Sequence, residues 1–297
     1  MLNITEYLRE KKTLVDRHLD RLVPAAEEYP PVLQQAMRYS LFAGGKRIRP
    51  ILALATGEAL EGEFDRVIRL ACALECIHTY SLIHDDLPAM DDDDFRRGNP
   101  TCHKKFGEGI AILAGNGLMT VAFQVLTEIP SASPGAETVL AVINRLCRAI
   151  GPQGGVIAGQ VVDLTTAGKP FTEEELLYIH SSKTGALIEA SVSCAAMLSE
   201  ATPDELERLK TFGLKIGLAF QVVDDILDVV ETSERLGKTP GKDTAEKKAT
   251  YTALYGLERS REIAEQLVEE GIQSISFLGS AGEALKELAR FISVRRF

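Results

Sequence analysis

The sequence predicts an all-α fold, a large helical bundle. Three observations carry that prediction. Long stretches repeat apolar residues at i, i+3, i+4 and i+7, no stretch alternates apolar and polar residues as a half-buried strand would, and helix-start signals stand where the periodic stretches begin. Several of these stretches are apolar on most faces, as helices inside a bundle must be.

The N-terminal "MLNITEYLREKKTLVDRHLDRL" spaces its charges helically and lacks the apolar core of a signal peptide. Helices are then predicted over "VLQQAMRYSLFAG" (32–44) and over "RVIRLACALECIHTYSLIHDD" (66–86), the second ending before Pro88. "EEELLYIHSSKTGALIEASVSCAAMLSE" (173–200) starts behind Thr172, and "PDELERLKTFGLKIGLAFQVVDDILDVV" (203–230) behind Thr202, each threonine being a hydroxyl cap. "LERSREIAEQLVEEG" (257–271) and "GEALKELARFIS" (282–293) complete the set. Two connections are long, 90–106 and 231–249. No Ser/Gly/Pro linker divides the chain, so 1–297 reads as one domain.

Composition removes several function classes. A formal charge of −10, from 43 acidic against 33 basic residues, speaks against nucleic acid as a partner. No apolar run approaches the length of a bilayer span, so no stable membrane insertion is expected. Five widely spread cysteines suit reduced thiols and a cytoplasmic location. Cys72 and Cys76 lie one turn apart, but no second pair completes a zinc site, so apolar packing is expected of them.

Two acidic constellations need a physical reason to exist. "HDDLPAMDDDDFRRG" (84–98) holds Asp85, Asp86, Asp91 and Asp92 among its aspartates, at the C-terminal end of a helix, where the macrodipole disfavours negative charge. "QVVDDILD" (221–228) puts Asp224 and Asp228 on one face with Asp225 beside them and Gln221 a turn earlier, in surroundings apolar enough to bury them. A buried unpaired carboxylate costs several kcal/mol. A hard divalent cation removes the conflict, and Mg2+ takes a few carboxylates plus substrate phosphates. Calcium fits less well, because EF-hand spacing is absent. His84 reads as a structural hydrogen-bonding residue beside an oxygen-preferring metal site.

The cations supply the other half. "GGKRIRP" (44–50) sets Lys46, Arg47 and Arg49 behind two glycines. Arg96 and Arg97 follow the first acidic cluster, and Lys183 with Thr184 interrupts an apolar helix. Such groups suit a diphosphate. "GGKRIRP" is not a Walker loop, since its spacing differs and no strand precedes it, and alone it would equally suit a surface turn.

Together, "GGKRIRP", "HTYSLIHDDLPAMDDDDFRRG", "SKTGALI", "AFQVVDDILDV" and "LGKTPGKD", in that order across nearly the whole chain, resemble the motif blocks of the trans-isoprenyl diphosphate synthases, most closely the bacterial farnesyl diphosphate synthase type. The resemblance implies the isoprenoid-synthase fold, a large helical bundle around a central cavity, a homodimer and three Mg2+ ions. It implies that Asp85 and Asp91 bridge two ions, with Asp86 and Asp92 as neighbours, while Asp224 holds the third among Asp225 and Asp228. It further implies that Lys46, Arg49, Arg97 and His78 bind isopentenyl diphosphate. Arg96, Lys183 and Lys238 would bind the allylic partner, dimethylallyl or geranyl diphosphate, with Thr184 and Gln221 near the reacting carbons. In the family an aromatic five residues before the first aspartate, here Tyr80 with Ser81 beside it, goes with a fifteen-carbon product, as does the insertion Pro88-Ala89.

The rival readings are a geranylgeranyl diphosphate synthase, a terpene cyclase, which has no use for a second diphosphate site, and a non-catalytic regulatory subunit, which has no need of both aspartate clusters. Lys247 or Lys248, in a lid spanning 231–249, is a further expected approach to phosphate, and the basic "VRRF" end reads as a frayed terminus, with closure over a diphosphate site as its alternative.

Overall fold

The computed structural model describes residues 2–130, 135–230 and 249–294. It opens with α1 (Ile4–Leu22), capped by the Asn3 side chain, and α2 (Pro31–Leu41), with proline at its first turn. The predicted helix 32–44 stops at Leu41, because Gly44 and Gly45 adopt φ of +104° and +113°, open to glycine but costly for other residues. α3 (Ile48–Ala59) is buried on nearly every face, and α4 (Phe64–Asp85) is the first long core helix.

The loop 90–106 is more structured than the sequence suggested. It carries a minimal antiparallel pair, β1 (Phe95–Arg96) and β2 (Asn99–Pro100), followed by α5 (Cys102–Phe106). A two-residue strand is too short to show an alternation, which is why nothing in the pattern announced it. Next come α6 (Glu108–Thr127), α7 (Ala136–Ile150) and α8 (Val156–Thr166). Contrary to the expectation that no run approaches a bilayer span, α6 is long and apolar enough to cross a membrane by length and composition; in the bundle it packs on α4 and α2.

The predicted helix 173–200 is divided. α9 (Glu173–Ile179) begins with a complete capping box between Thr172 and Glu175, then His180–Gly185 form a π-helical turn, and α10 (Ala186–Leu198) continues. α11 (Pro203–Val230) starts with Thr202 and Glu205 bonded in the same reciprocal way. α12 (Tyr251–Tyr255), α13 (Leu257–Ser274) and α14 (Glu283–Val294) close the described chain.

Two apolar clusters make the core. One gathers α4, α6 and α7, the other α3, α11, α13 and α14, and α10 contributes to both. Phe212 is fully buried in the second cluster, where truncation to alanine costs about 3–5 kcal/mol. The π turn is approached closely from two sides, because a Cβ on Gly159 of α8 would stand 2.4 Å from the Lys183 nitrogen, and one on Gly217 of α11 would stand 2.8 Å from the Gly185 Cα. Only glycine permits either contact, and the turn carrying Lys183 and Thr184 is thereby seated between two helices. All five cysteines are free, with Cys72 and Cys76 in the first core cluster.

Candidate active site

α4 delivers the first acidic wall. Past Asp85 the chain folds into a tight turn in which the Asp91 N–H donates to the Asp85 carbonyl at 2.8 Å, and the Asp93 N–H donates to that of Asp86 at 3.3 Å. Pro88 and Ala89 are exposed at the tip of this turn. Their insertion is therefore accommodated outward, and Asp91 returns beside Asp85. α11 supplies Gln221 and Asp224 opposite, and the π turn supplies Lys183. Asp85, Asp91, Lys183, Gln221 and Asp224 line one cavity of about 250 Å³.

Lys183 Nζ donates to Asp163 Oδ2 of α8 at 2.7 Å. Burial opposes its charge, but Asp163, Asp85 and Asp91 outweigh that and raise its pKa. Asp85 is pushed up to about 6, chiefly by burial and then by Asp91 and Asp86, with Lys183 and Arg96 pulling the other way. The Thr184 hydroxyl donates to Gln221 Oε1 at 2.8 Å, so these two polar groups form one fixed unit.

A second cavity, of about 350 Å³, adjoins the first and shares Leu82, Arg96 and Asp224 with it. Lys46, Arg47, Arg49, His78 and Arg97 line it, with the carboxylates Glu75 and Asp228 also on its wall. His78 lies 3.4 Å from the Arg49 guanidinium and is held well below its ordinary pKa by burial and by Arg49, Arg97 and Arg96, so it remains a neutral hydrogen-bonding group. Arg97 donates to the Gly44 carbonyl, and its pKa is lowered first by burial, then by the cations around it. Such a cluster of like charge is complementary to an anion.

The remaining predicted residues are placed less directly. Asp86 is buried and tied to the Arg96 guanidinium at 2.6 Å, which also reaches Asp93 at 3.6 Å. Asp225 lies on the first cavity with both oxygens already accepting, from Gln221 Nε2 at 3.2 Å and from the Tyr251 N–H at 2.8 Å. Asp92 is exposed and groups instead with Asp94 and His103, their ligand atoms within 4.8 Å of one another. His84 turns to α6, close to the Ile112 carbonyl at 3.1 Å and packed on Gly115, consistent with a structural role. Tyr80 is buried edge-on against His84 at 5.7 Å, and the Ser81 hydroxyl donates to the His78 carbonyl. Lys238, Lys247, Lys248 and the last three residues of "VRRF" lie outside the described residues.

Asp163 and the buried Arg47–Glu75 pair escaped the sequence reading. A lone carboxylate in the apolar run "VIAGQVVDL" was the available signal for the first. A larger cavity of about 580 Å³, behind the π turn and lined by Arg145, Arg148 and Glu189, carries none of the predicted site residues.

The donor set fits a hard divalent cation. Asp85, Asp91 and Asp224 offer only carboxylate oxygens to the first cavity, and the raised Asp85 is a group that a cation would relieve.

The polyprenyl synthetase family profile matches residues 30–283. Over 294 residues the chain is 44% identical to a farnesyl diphosphate synthase of Geobacillus stearothermophilus, covering 99% of this chain and 98% of that protein. It is 47% identical over 295 residues to the heterodimeric geranylgeranyl pyrophosphate synthase large subunit 1, chloroplastic, of Arabidopsis thaliana, covering 98% of this chain and 79% of that protein. Among solved structures it is similar to a geranyltransferase from Helicobacter pylori complexed with magnesium and isoprenyl diphosphate, with a TM-score of 0.84, 34% identity, and 98% and 97% of the two chains covered.

Proposed function

The chain belongs to the polyprenyl synthetase family and is a trans-prenyl diphosphate synthase, and from that premise we propose that it makes (2E,6E)-farnesyl diphosphate. It would condense isopentenyl diphosphate head-to-tail first with dimethylallyl and then with geranyl diphosphate. One observation carries the two-substrate reading: a carboxylate-lined cavity and a cation-lined cavity adjoin and share Arg96 and Asp224. An allylic diphosphate suits the first with Mg2+, and isopentenyl diphosphate suits the second without it.

Asp85, Asp91 and Asp224 would hold Mg2+, three ions by family resemblance, with Asp86 and Asp225 supporting through the bonds described. When bound, the metal supplies Lewis-acid stabilisation of the diphosphate leaving group. Lys183 and Arg96 stabilise the charge that grows on the diphosphate as the allylic C–O bond breaks. Lys46, Arg49 and Arg97 grip the second diphosphate so that its double bond faces the allylic carbon, where a C–C bond forms. The Thr184–Gln221 unit lies beside the developing cation. A proton then leaves the condensed chain for the released diphosphate, which needs no side-chain base.

Tyr80 supports the fifteen-carbon reading. It is buried on α4 behind His84, where a tail growing away from Asp85 would be stopped. Relatives bear both farnesyl and geranylgeranyl names. We also propose a homodimer through the outward face of α6, where Ile112 and Leu113 are exposed, and a cytoplasmic location, supported by the free cysteines. Dimethylallyl and isopentenyl diphosphates with Mg2+ should yield mainly the fifteen-carbon product. A twenty-carbon product would favour the geranylgeranyl reading.

A further inference from the structure

The loop that carries Lys46 is held in an unusual backbone. Gly44 and Gly45 have positive φ, and so does Arg47 at +55°. A non-glycine residue there is strained and persists only where its surroundings over-determine it. Three separate elements do so at Arg47. Its guanidinium donates to Asp16 Oδ1 of α1 at 2.8 Å, to Glu75 Oε1 of α4 at 2.6 Å and to the Leu41 carbonyl at the end of α2 at 2.6 Å. The Arg47 and Glu75 side chains are 1% and 2% exposed. The same loop seats Arg97: a Cβ on Gly45 would stand 2.5 Å from its guanidinium, which also donates to the Gly44 carbonyl.

We propose that Asp16, Arg47 and Glu75 are positioning residues that set the geometry of the cation-lined diphosphate site. By this assignment a carboxylate on α1, outside both cavities, governs affinity for a diphosphate bound without metal. The inference rests on the reading of that site given above. If the triad slackens, the loop shifts, and Lys46, Arg49 and Arg97 no longer converge. Geometry and simple charge then predict opposite signs. Neutralising Asp16 or Glu75 makes the neighbourhood more positive, so Coulomb attraction alone would tighten the binding of an anion.

The test is calorimetric titration of the full chain with inorganic diphosphate in EDTA, alongside steady-state kinetics with Mg2+. Asp16→Asn keeps an acceptor oxygen and a nearly isosteric side chain, and should weaken metal-free diphosphate binding about threefold or more. It should raise KM for isopentenyl diphosphate equally, leaving KM for the allylic substrate unchanged. Glu75→Gln should do the same more strongly; if it does not fold, Asp16→Asn alone decides. Unchanged or tighter binding in Asp16→Asn, or an equal rise in both KM values, overturns the proposal. Wild-type protein that consumes no isopentenyl diphosphate would instead overturn the underlying reading, and the calorimetric comparison would still decide whether the triad positions the site.

Discussion

Asp85 permits a quantitative prediction about metal and pH. Its pKa stands near 6 against an ordinary 3.8. At 1.36 kcal/mol per unit, that is about 3 kcal/mol set against the carboxylate while no cation is bound. A carboxyl raised in the fold holds its proton in a window where the unfolded chain has lost it. The metal-free fold therefore loses stability as pH rises from about 4 to about 6, and carries the full penalty above. A cation bound to the carboxylate removes the penalty, so protons compete with Mg2+. With one proton and a pKa near 6, about nine-tenths of Asp85 is ionised at pH 7 and about one-tenth at pH 5. The free Mg2+ needed for half-maximal activity should thus rise about tenfold from pH 7 to pH 5, and change little from pH 7 to pH 8. Metal titrations at saturating substrates, with free Mg2+ corrected for diphosphate protonation, measure it. A half-saturation point constant between pH 5 and 7 would refute the assignment of Asp85 as a burial-raised ligand.

Tyr80→Ala should lengthen the main product by at least one isoprene unit, read by chromatography of the dephosphorylated alcohols; an unchanged fifteen-carbon product would remove Tyr80 as the stopper. Lys183→Ala should lower kcat about 10²–10³-fold, the usual effect of deleting one charge-stabilising donor, and stopped-assay rates within threefold of wild type would contradict its role. Gly159→Ala forces a Cβ against the Lys183 backbone and should cost about 1–3 kcal/mol of stability, with a fall in kcat larger than the fall in folded fraction measured by calorimetry. Excess EDTA should abolish product formation, and added Mg2+ should restore it.

Much of the bundle was legible because each helix carries its own evidence. Thr172 with Glu175, and Thr202 with Glu205, are local pairs, and the apolar period of 203–230 needs no partner to be read. The aspartate clusters were legible for the opposite reason: they violate local physics, and only a ligand resolves the violation. What stayed hidden depends on distant partners. Asp163 meets Lys183 across 20 positions, and Arg47 meets Glu75 across 28; a charged residue in sequence does not announce whether its partner is water or a buried carboxylate. Asp225 lines the first cavity as its motif suggests, but the Tyr251 N–H that donates to it lies 26 positions on, beyond what the motif can show. Asp92 shares a motif with Asp91, but its left-handed backbone turns it outward.

The π turn at His180–Gly185 has a consequence for how this chain tolerates change. A π turn spends one residue more than an α-helical turn, so it resets the angular register between α9 and α10 by about 100°. Leu176 and Ile179 before it, and Leu187 and Ile188 after it, are all buried, and one uninterrupted α-helix would rotate one pair relative to the other. Forcing the same six residues of 180–185 into α-helical geometry would thus swing the whole of α10 against α3 and α11, whereas deleting one of them would let the turn become α-helical with α10 still in register. The segment is a phase adjuster: its one extra residue keeps the buried faces of α9 and α10 aligned.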